Sequence, residues 1–402
     1  MISLLGIAII PAIAYLASSN RSQINLRTVL GAFLIQAAIG AFVLYIPAGK
    51  QFLELVAVGV ANILTYSQAG IDFLFGNVGN PSLGFIFAFQ VLPIIIFFSS
   101  LIAVLYHLGI MGWIVKLLGG GLQMALQTSR PESLSAAANI FVGQTEAPLV
   151  VRPFIPKMTR SELFAIMVGG LASIAGSVMA GYASMGVEIK YLLAASFMAA
   201  PGALMMAKII LPETAETINE LADVETEDKL YTNVLDAAAS GASLGLQMAL
   251  NVGAMLLAFI SLIALLNGLL GWAGGFVGFP DITFQAILGF VFQPVAWIMG
   301  VPWSEANAAG GLIGQKLILN EFVAYVDFIG MKDSLSNHTQ AVVTFALCGF
   351  ANLSSIAILM GGIGAMAPTR RNDIAQLGLK AVFAATLANF MSASLAGFFL
   401  SI

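Results

Sequence analysis

The chain has 402 residues, of which 59% are hydrophobic and only 9% charged, and its mean hydropathy is +0.95. That usage lies outside the range of soluble domains and identifies a polytopic membrane protein. The net charge of −4 reports mostly one segment holding seven of the twenty acidic residues (Glu213, Glu216, Glu220, Asp223, Glu225, Glu227 and Asp228), so it implies no nucleic-acid partner, and no basic cluster offers a phosphate-binding surface.

A helix that crosses the hydrocarbon needs roughly 20 apolar residues. Eight stretches qualify: 2–18, 28–47, 82–106, 161–187, 191–211, 240–270, 340–364 and 375–401. The first begins without a basic n-region or a small-residue cleavage site, so it is expected to be a true span. Between the second and third spans, 52–70 is flanked by Lys50, Glu54 and Asp72 and reads as an interfacial amphipathic helix. Residues 109–128 are apolar as well and complicate a hydropathy count. Arg130-Pro131-Glu132 then starts a new helix, with Pro131 in the first turn.

Charge placement decides the topology. Arg21 and Arg27, then Arg152, Lys157 and Arg160, then Arg370 and Arg371 form three basic groups that the positive-inside rule places in the cytoplasm, which sends both termini outward. Parity over eight spans then requires 131–158 to be a re-entrant hairpin from the cytoplasm and 304–331 one from outside. It also requires 282–300, interrupted by Pro294, not to cross, and it leaves the acidic loop at 213–228 inside.

The two hairpins resemble one another. Phe141-Val142-Gly143-Gln144 followed by Glu146 parallels Leu312-Ile313-Gly314-Gln315 followed by Glu321, and each hairpin is trailed by a span with Leu-x-Ser-Ile-Ala, at Leu171–Ala175 and Leu353–Ala357. Entry from opposite sides makes this an inverted repeat, an architecture of secondary transporters. Gly169, Gly170, Gly176 and Ser177 in one trailing span, and Gly349, Asn352, Ser354 and Ser355 in the other, loosen the helix at membrane depth. Unwound backbone is viable there only where it lines a cavity or holds an ion.

Glu146 and Glu321 are carboxylates inside such segments, and a charge at that depth marks the path of a polar substrate. Gln144, Thr145 and Glu146 offer an amide, a hydroxyl and a carboxylate able to read the edge of a heteroaromatic base. Glu321, Asn352 and Ser355 suit a polyol such as ribose, and Phe350 an apolar wall. The alternative uses are an ion pair of Glu146 with Arg152 or Lys157, and helix-to-helix hydrogen bonds for Asn352 and Ser355. A sodium ion wants five or six hard oxygens, which Asn139, Val142, Thr145, Ser173 and Ile174 can supply from carbonyls and hydroxyls. Ser and Thr in spans also bond back to their own helix.

Other features point elsewhere. His107 and His338 lack neighbours at metal-ligand spacing. Gly119-Gly120-Gly121 lacks the Lys-Ser/Thr of a phosphate loop. No nucleophile elbow or His-Glu-x-x-His equips the chain for intramembrane hydrolysis. The Phe97-Phe98 run reads as lipid-facing or packed, and the lone Cys348 as packing.

With Gly143-Gln144-Thr145-Glu146-Ala147-Pro148, Asn320-Glu321-Phe322-Val323-Ala324-Tyr325 and Gly349-Phe350-Ala351-Asn352-Leu353-Ser354-Ser355-Ile356, the chain resembles the concentrative nucleoside transporters over nearly its whole length. The resemblance implies an all-α polytopic fold and a homotrimer. Each protomer would have eight transmembrane helices, two re-entrant helical hairpins and interfacial helices, divided into a scaffold and a mobile transport domain.

On that pattern residues 1–130 are mainly scaffold and interfacial helix, and 131–212 hold the first repeat. Residues 213–303 hold the acidic loop, the long span and an interfacial segment, and 304–402 the second repeat. Residues matching Gln144, Thr145, Glu146 and Val178 contact the nucleobase, those matching Glu321, Asn352 and Ser355 hold the ribose, and Phe350 lines the site. Sodium corresponds to Asn139, Val142, Thr145, Ser173 and Ile174.

The implied activity is import of nucleosides such as uridine across the bacterial inner membrane by alternating access, with sodium as coupling ion and no organic cofactor. The alternatives are proton coupling, a channel or an intramembrane enzyme.

Overall fold

The computed structural model describes residues 2–79, 84–217, 231–276 and 278–402. Glu220, Asp223, Glu225, Glu227 and Asp228 of the acidic segment, and residues 82 and 83 of the expected third span, lie outside the described residues. Among the described residues the regular structure is entirely helical. In chain order come α1 (Ser3–Leu16), α2 (Leu26–Leu44), α3 (Pro47–Thr65), α4 (Ser67–Phe75), the one-turn α5 (Phe87–Gln90), α6 (Leu92–His107) and α7 (Ile110–Leu126). The first hairpin is α8 (Arg130–Ala138) and a 3₁₀ limb, Ala147–Lys157. Then follow α9 (Arg160–Ala172), α10 (Gly176–Ser184), α11 (Ile189–Ile210), α12 (Val234–Gly275), α13 (Phe284–Ile298), α14 (Trp303–Ile318), α15 (Glu321–Met331), α16 (Asn337–Leu347), α17 (Ser355–Met366) and α18 (Arg371–Phe399).

Local chemistry explains the less regular parts. α8 and α9 each begin with a capping box, Ser129 with Glu132 and Thr159 with Glu162, which satisfies orphan amides at both starts. The second limb of the first hairpin carries Pro148, Pro153 and Pro156. Pro148 is tolerated in the limb's first turn, but Pro153 and Pro156 lie inside it, where each removes a backbone donor and would clash with the preceding turn of an α-helix, so the limb winds as 3₁₀. Both expected loosened helices are broken. α9 gives way to α10 across residues 173–175, and α16 to α17 across residues 348–354.

Burial sorts the helices into a centre and a periphery. Every residue of an 18-residue window in Arg160–Ser184 is buried, as are 94% in Ile189–Ile210 and 83% in Pro368–Phe399; only 22% are in Leu26–Leu44, 17% in Pro47–Gly79 and 22% in Val234–Gly275. The broken α9–α10, with α11 and α18, is therefore the core around which the lipid-type helices stand. Two of those outer helices are locked by small residues. A Cβ on Gly241 or Gly245 of α12 would lie 2.8 Å from Cα of Ser100 or 2.7 Å from Cα of Ile96 in α6, the close approach of a Gly-x-x-x-Gly face. At 42 residues, α12 is about 63 Å long, about twice the hydrocarbon thickness, so it must extend well beyond the core or tilt steeply.

Among the described residues seven helices are long and apolar enough to cross a membrane, or up to eight if α13 and α14, bent by 116°, count as one span. This set differs in membership from the eight stretches of the sequence reading. Pro47–Gly79 qualifies by length, whereas α1 is too short at 14 residues and α16–α17 is divided by its break.

The three basic groups do share one end of the molecule. Arg370 donates to the carbonyls of Ile155 and Met158, Arg160 meets Asp373 at 3.5 Å, and the Ser161 hydroxyl reaches the Leu211 carbonyl beside Ile210, which accepts from Ser19. The two termini meet at another place, where Ser3 lies against both Gly300 and Gly397.

Candidate functional site

Four chain interruptions converge, the tips of the two hairpins and the two helix breaks. Gly176 N–H donates to the Phe141 carbonyl at 2.9 Å, which fastens the first tip to the first break. Leu353 N–H donates to the Leu317 carbonyl at 3.2 Å, which does the same in the second repeat. Phe350 N–H donates to the Ser173 carbonyl at 3.2 Å and joins the breaks to each other. Each hairpin tip is thus fastened to the break that follows it in the chain.

In the first tip, Glu146 stands immediately before the 3₁₀ limb and Glu321 occupies the first turn of α15. Each carboxylate is therefore at a helix N-terminus, where the partial positive charge of the free amides favours an anion. The Glu146 carboxylate folds back over Gly143, so a Cβ there would lie 2.5 Å from Oε2. Glu146 forms no ion pair with Arg152 or Lys157 among the described residues, and both cations are exposed. Thr145 lies against Gly362 of α17, and Gln144 backs onto Gly170 of α9.

The tip is rich in unused acceptors. Asn139 Oδ1, Gln144 Oε1 and Glu146 Oε2 are buried without a hydrogen-bond partner. Each such atom costs about 1–3 kcal/mol unless something occupies it. Among the described residues the backbone carbonyls of Asn139, Val142 and Ile174 also accept no hydrogen bond. Ser173 Oγ donates back to the Gly169 carbonyl at 3.0 Å, leaving its lone pairs free. Asn139 approaches α9 at Gly169, and Gly143 approaches Ala175. Carbonyl, amide and hydroxyl oxygens gathered without a counter-donor suit a hard monovalent cation better than a thiolate- or imidazole-seeking metal.

The second tip is bonded at its carboxylate, while Gln315 Oε1 and Asn320 Nδ2 are buried without a hydrogen-bond partner. Tyr182 Oη donates to Glu321 Oε1 at 3.0 Å and Asn352 Nδ2 donates to Oε2 at 3.1 Å. Asn352 Oδ1 accepts from Ser354 Oγ, the Ser355 amide and Ser355 Oγ at 2.7, 2.9 and 3.0 Å, so the side chain also starts α17. Glu321, Asn352 and Ser355 form one hydrogen-bonded chain across hairpin and break. A carboxylate offers about four lone-pair positions, so about two of Glu321's remain for a ligand. Val178 is buried on α10 one turn before Tyr182, and Phe350 is half-buried in the second break.

Three residues of this centre escape the sequence reading. Tyr182 orients Glu321 and packs its ring 4.6 Å from Phe322 and 4.4 Å from Tyr325. Lys316 is fully buried, and its Nζ donates to the Ala346 carbonyl at 2.8 Å and to Asn389 Oδ1 at 2.7 Å. Asn389 of α18 in turn donates to the carbonyls of Ala172 at 2.7 Å and Cys348 at 3.0 Å, one at each break. The signal for Lys316 was available: a cation in an apolar segment is as expensive as a carboxylate. Cys348 packs as expected, with Sγ 3.9 Å from the Leu192 carbonyl.

Known proteins carry the same plan. Family models described as "Na+ dependent nucleoside transporter C-terminus", "Na+ dependent nucleoside transporter N-terminus" and "Nucleoside recognition" match residues 191–397, 5–78 and 88–188. The chain is 58% identical to an uncharacterized transporter of Haemophilus influenzae, with 100% of this chain and 98% of that one aligned. It is 51% identical to the nucleoside permease NupC of Helicobacter pylori over 100% of this chain and 98% of that one. With the human sodium/nucleoside cotransporter 1 it shares 37% identity over 99% of this chain and 63% of the longer protein. The solved structure of CNTnw in an inward-facing substrate-bound state superposes with a TM-score of 0.96 at 56% identity, covering 100% of this chain and 98% of that one.

Proposed function

Since this chain belongs to the concentrative nucleoside transporter family, we propose that it imports nucleosides across the bacterial inner membrane by sodium-coupled alternating access. The observation that carries the reading is the cluster of unpartnered acceptors on the first hairpin. Such acceptors suit a cation held by Asn139, Val142, Thr145, Ser173 and Ile174, and a base read by Gln144, Thr145 and Glu146 beside Val178. The sugar falls to Glu321, Asn352 and Ser355, with Phe350 on the wall between them.

Sodium bound between tip and break ties the hairpin to α9 and α10, which fixes Gln144 and Thr145 where the base needs them. Nucleoside affinity rises when the ion is bound, and by linkage sodium affinity rises equally with nucleoside. Residues 1–130 with α12 then serve as the static frame, α6 and α12 locked through Gly241 and Gly245, while the two repeats move. The apolar outer faces meet the bilayer and two further copies in a trimer, with both termini periplasmic.

The test is calorimetry of uridine binding in sodium and in choline, paired with uptake into proteoliposomes under a sodium gradient, a proton gradient and neither. Tighter binding and faster uptake with sodium alone are expected. Equal binding in the two buffers, with uptake driven by protons, removes the sodium assignment; recovery of altered uridine, or flux without counterflow, removes the carrier.

A further inference from the structure

Each repeat pairs a hairpin tip with a helix break, yet the two junctions are chemically unlike. The first leaves oxygens without donors, at Asn139 Oδ1 and at the carbonyls of Asn139, Val142 and Ile174. The second leaves Gln315 Oε1 without a donor as well, but there a protein cation stands at the end of the broken helix's first half. Lys316 sits in the last turn of α14, the first limb of its hairpin, and its Nζ bonds the Ala346 carbonyl in the last turn of α16, the first half of its broken helix. The last carbonyls of a helix have no intrahelical donor and carry the negative end of its dipole, so an ammonium there does what a bound ion would do. In the matched strings Lys316 follows Gly314-Gln315 as Thr145 follows Gly143-Gln144.

The ammonium has no carboxylate within ion-pair distance among the described residues; its partners are two neutral oxygens, Ala346 O and Asn389 Oδ1. That is the ligand type of an alkali-cation site and unlike that of an ordinary buried salt bridge. A structural ion pair would place an acidic side chain in contact, as Lys208 does with Glu132 elsewhere in the molecule. The Glu321 carboxylate, five residues on, is held by Tyr182 and Asn352 and leaves Lys316 to the carbonyls.

We propose that Lys316 is a tethered cation occupying the second repeat's counterpart of the coupling-ion site, so that the protein carries one exchangeable ion where its symmetry provides for two. Removing the ammonium while leaving space opens a second alkali-cation site bounded by the Ala346 carbonyl and Asn389 Oδ1. The inference rests on the sodium-coupled reading only for the identity of the ion, because its readout is a difference between variant and wild type.

The experiment uses the full-length purified protein, wild type and the variants Lys316→Ser and Lys316→Gln, both prepared in high sodium, with Lys316→Met as the variant that fills the space with an apolar chain. Thermal unfolding is followed against sodium chloride with choline chloride holding ionic strength, and uridine binding is titrated with sodium. For Lys316→Ser and Lys316→Gln, thermal stability rises with sodium beyond the wild-type increment. The Hill coefficient for sodium in uridine binding rises from about one to about two, on the counting of sites, and Lys316→Met shows neither change. Serine and glutamine variants that titrate like wild type overturn the proposal. So does failure to recover either variant in molar sodium, where an open cation site is filled. A wild type indifferent to sodium disproves the coupling reading alone; sodium stabilisation confined to the variants still identifies the tethered cation.

Discussion

Replacing Glu321 with Gln separates the carboxylate's internal duty from its proposed duty to the sugar. In the structure its oxygens accept Tyr182 Oη at 3.0 Å and Asn352 Nδ2 at 3.1 Å. A glutamine can point its carbonyl at Asn352 and its NH₂ at Tyr182, whose hydroxyl turns to accept. Both internal bonds are then remade, so the unliganded protein should unfold within about 1 kcal/mol of wild type, one ordinary hydrogen bond.

What cannot be remade is a charged acceptor for a ribose hydroxyl. Hydrogen bonds to charged groups contribute about 1.5–3 kcal/mol, which weakens uridine binding roughly 10- to 150-fold. The assay is calorimetry in sodium with uridine and with 2′,3′-dideoxyuridine, which lacks both ring hydroxyls. Uridine should lose this factor and the dideoxy compound far less, so the preference between them shrinks in the variant. Equal losses for both ligands, or undiminished preference, would refute the placement of the sugar at Glu321.

Three further outcomes follow from the geometry. Gly143→Ala puts a Cβ 2.5 Å from Glu146 Oε2 and should displace that carboxylate, raising the uptake KM for uridine on the order of tenfold, about one charged hydrogen bond, with little change in thermal stability. Gly349→Ala puts a Cβ 2.4 Å from Asn389 Oδ1 and 2.8 Å from the Ala172 carbonyl; overpacking of about 1–3 kcal/mol should lower the unfolding midpoint and also weaken uridine binding. Gly245→Val separates α12 from α6 at the 2.7 Å approach to Ile96 and should lower the unfolding midpoint by a similar overpacking cost, leaving uridine affinity in solubilised protein unchanged.

The sequence reading located the two breaks because glycine, serine and asparagine at membrane depth announce backbone that must bond outside its own helix, and both lie where expected. It located Glu146 and Glu321 because an intramembrane carboxylate is costly to bury. It missed their supports for a different reason. Tyr182 is 139 residues from Glu321, and Asn389 is 73 from Lys316 and 217 from Ala172, so no local pattern joins them, and a tyrosine or asparagine within an apolar helix reads as an interfacial anchor or a helix-to-helix contact. The membership of the span set was harder still. Pro47–Gly79 is long enough to cross, while the flanking charges Lys50, Glu54 and Asp72 argue for lying flat, and one-dimensional hydropathy weighs those facts equally. The 3₁₀ limb went unread, although Pro153 and Pro156 inside it disfavour an α-helix.

Asn389 lets one amide group act as a rivet. Its NH₂ grips the frayed end of each broken helix, its oxygen takes the lysine of the second hairpin, and the Phe350 amide closes the seam at Ser173. A displacement that pulled the breaks apart would have to rupture the Phe350–Ser173 bond and one of Asn389's two grips in a buried interior. The pocket would therefore have to travel whole, like a sealed capsule, with α18 as part of its casing. A capsule of fixed shape grips its cargo alike at either end of the journey. Under the proposed sodium coupling, direction comes from the ion gradient and from which gate is open, and at equal sodium on both sides the protein should exchange nucleoside inward and outward with the same apparent affinity.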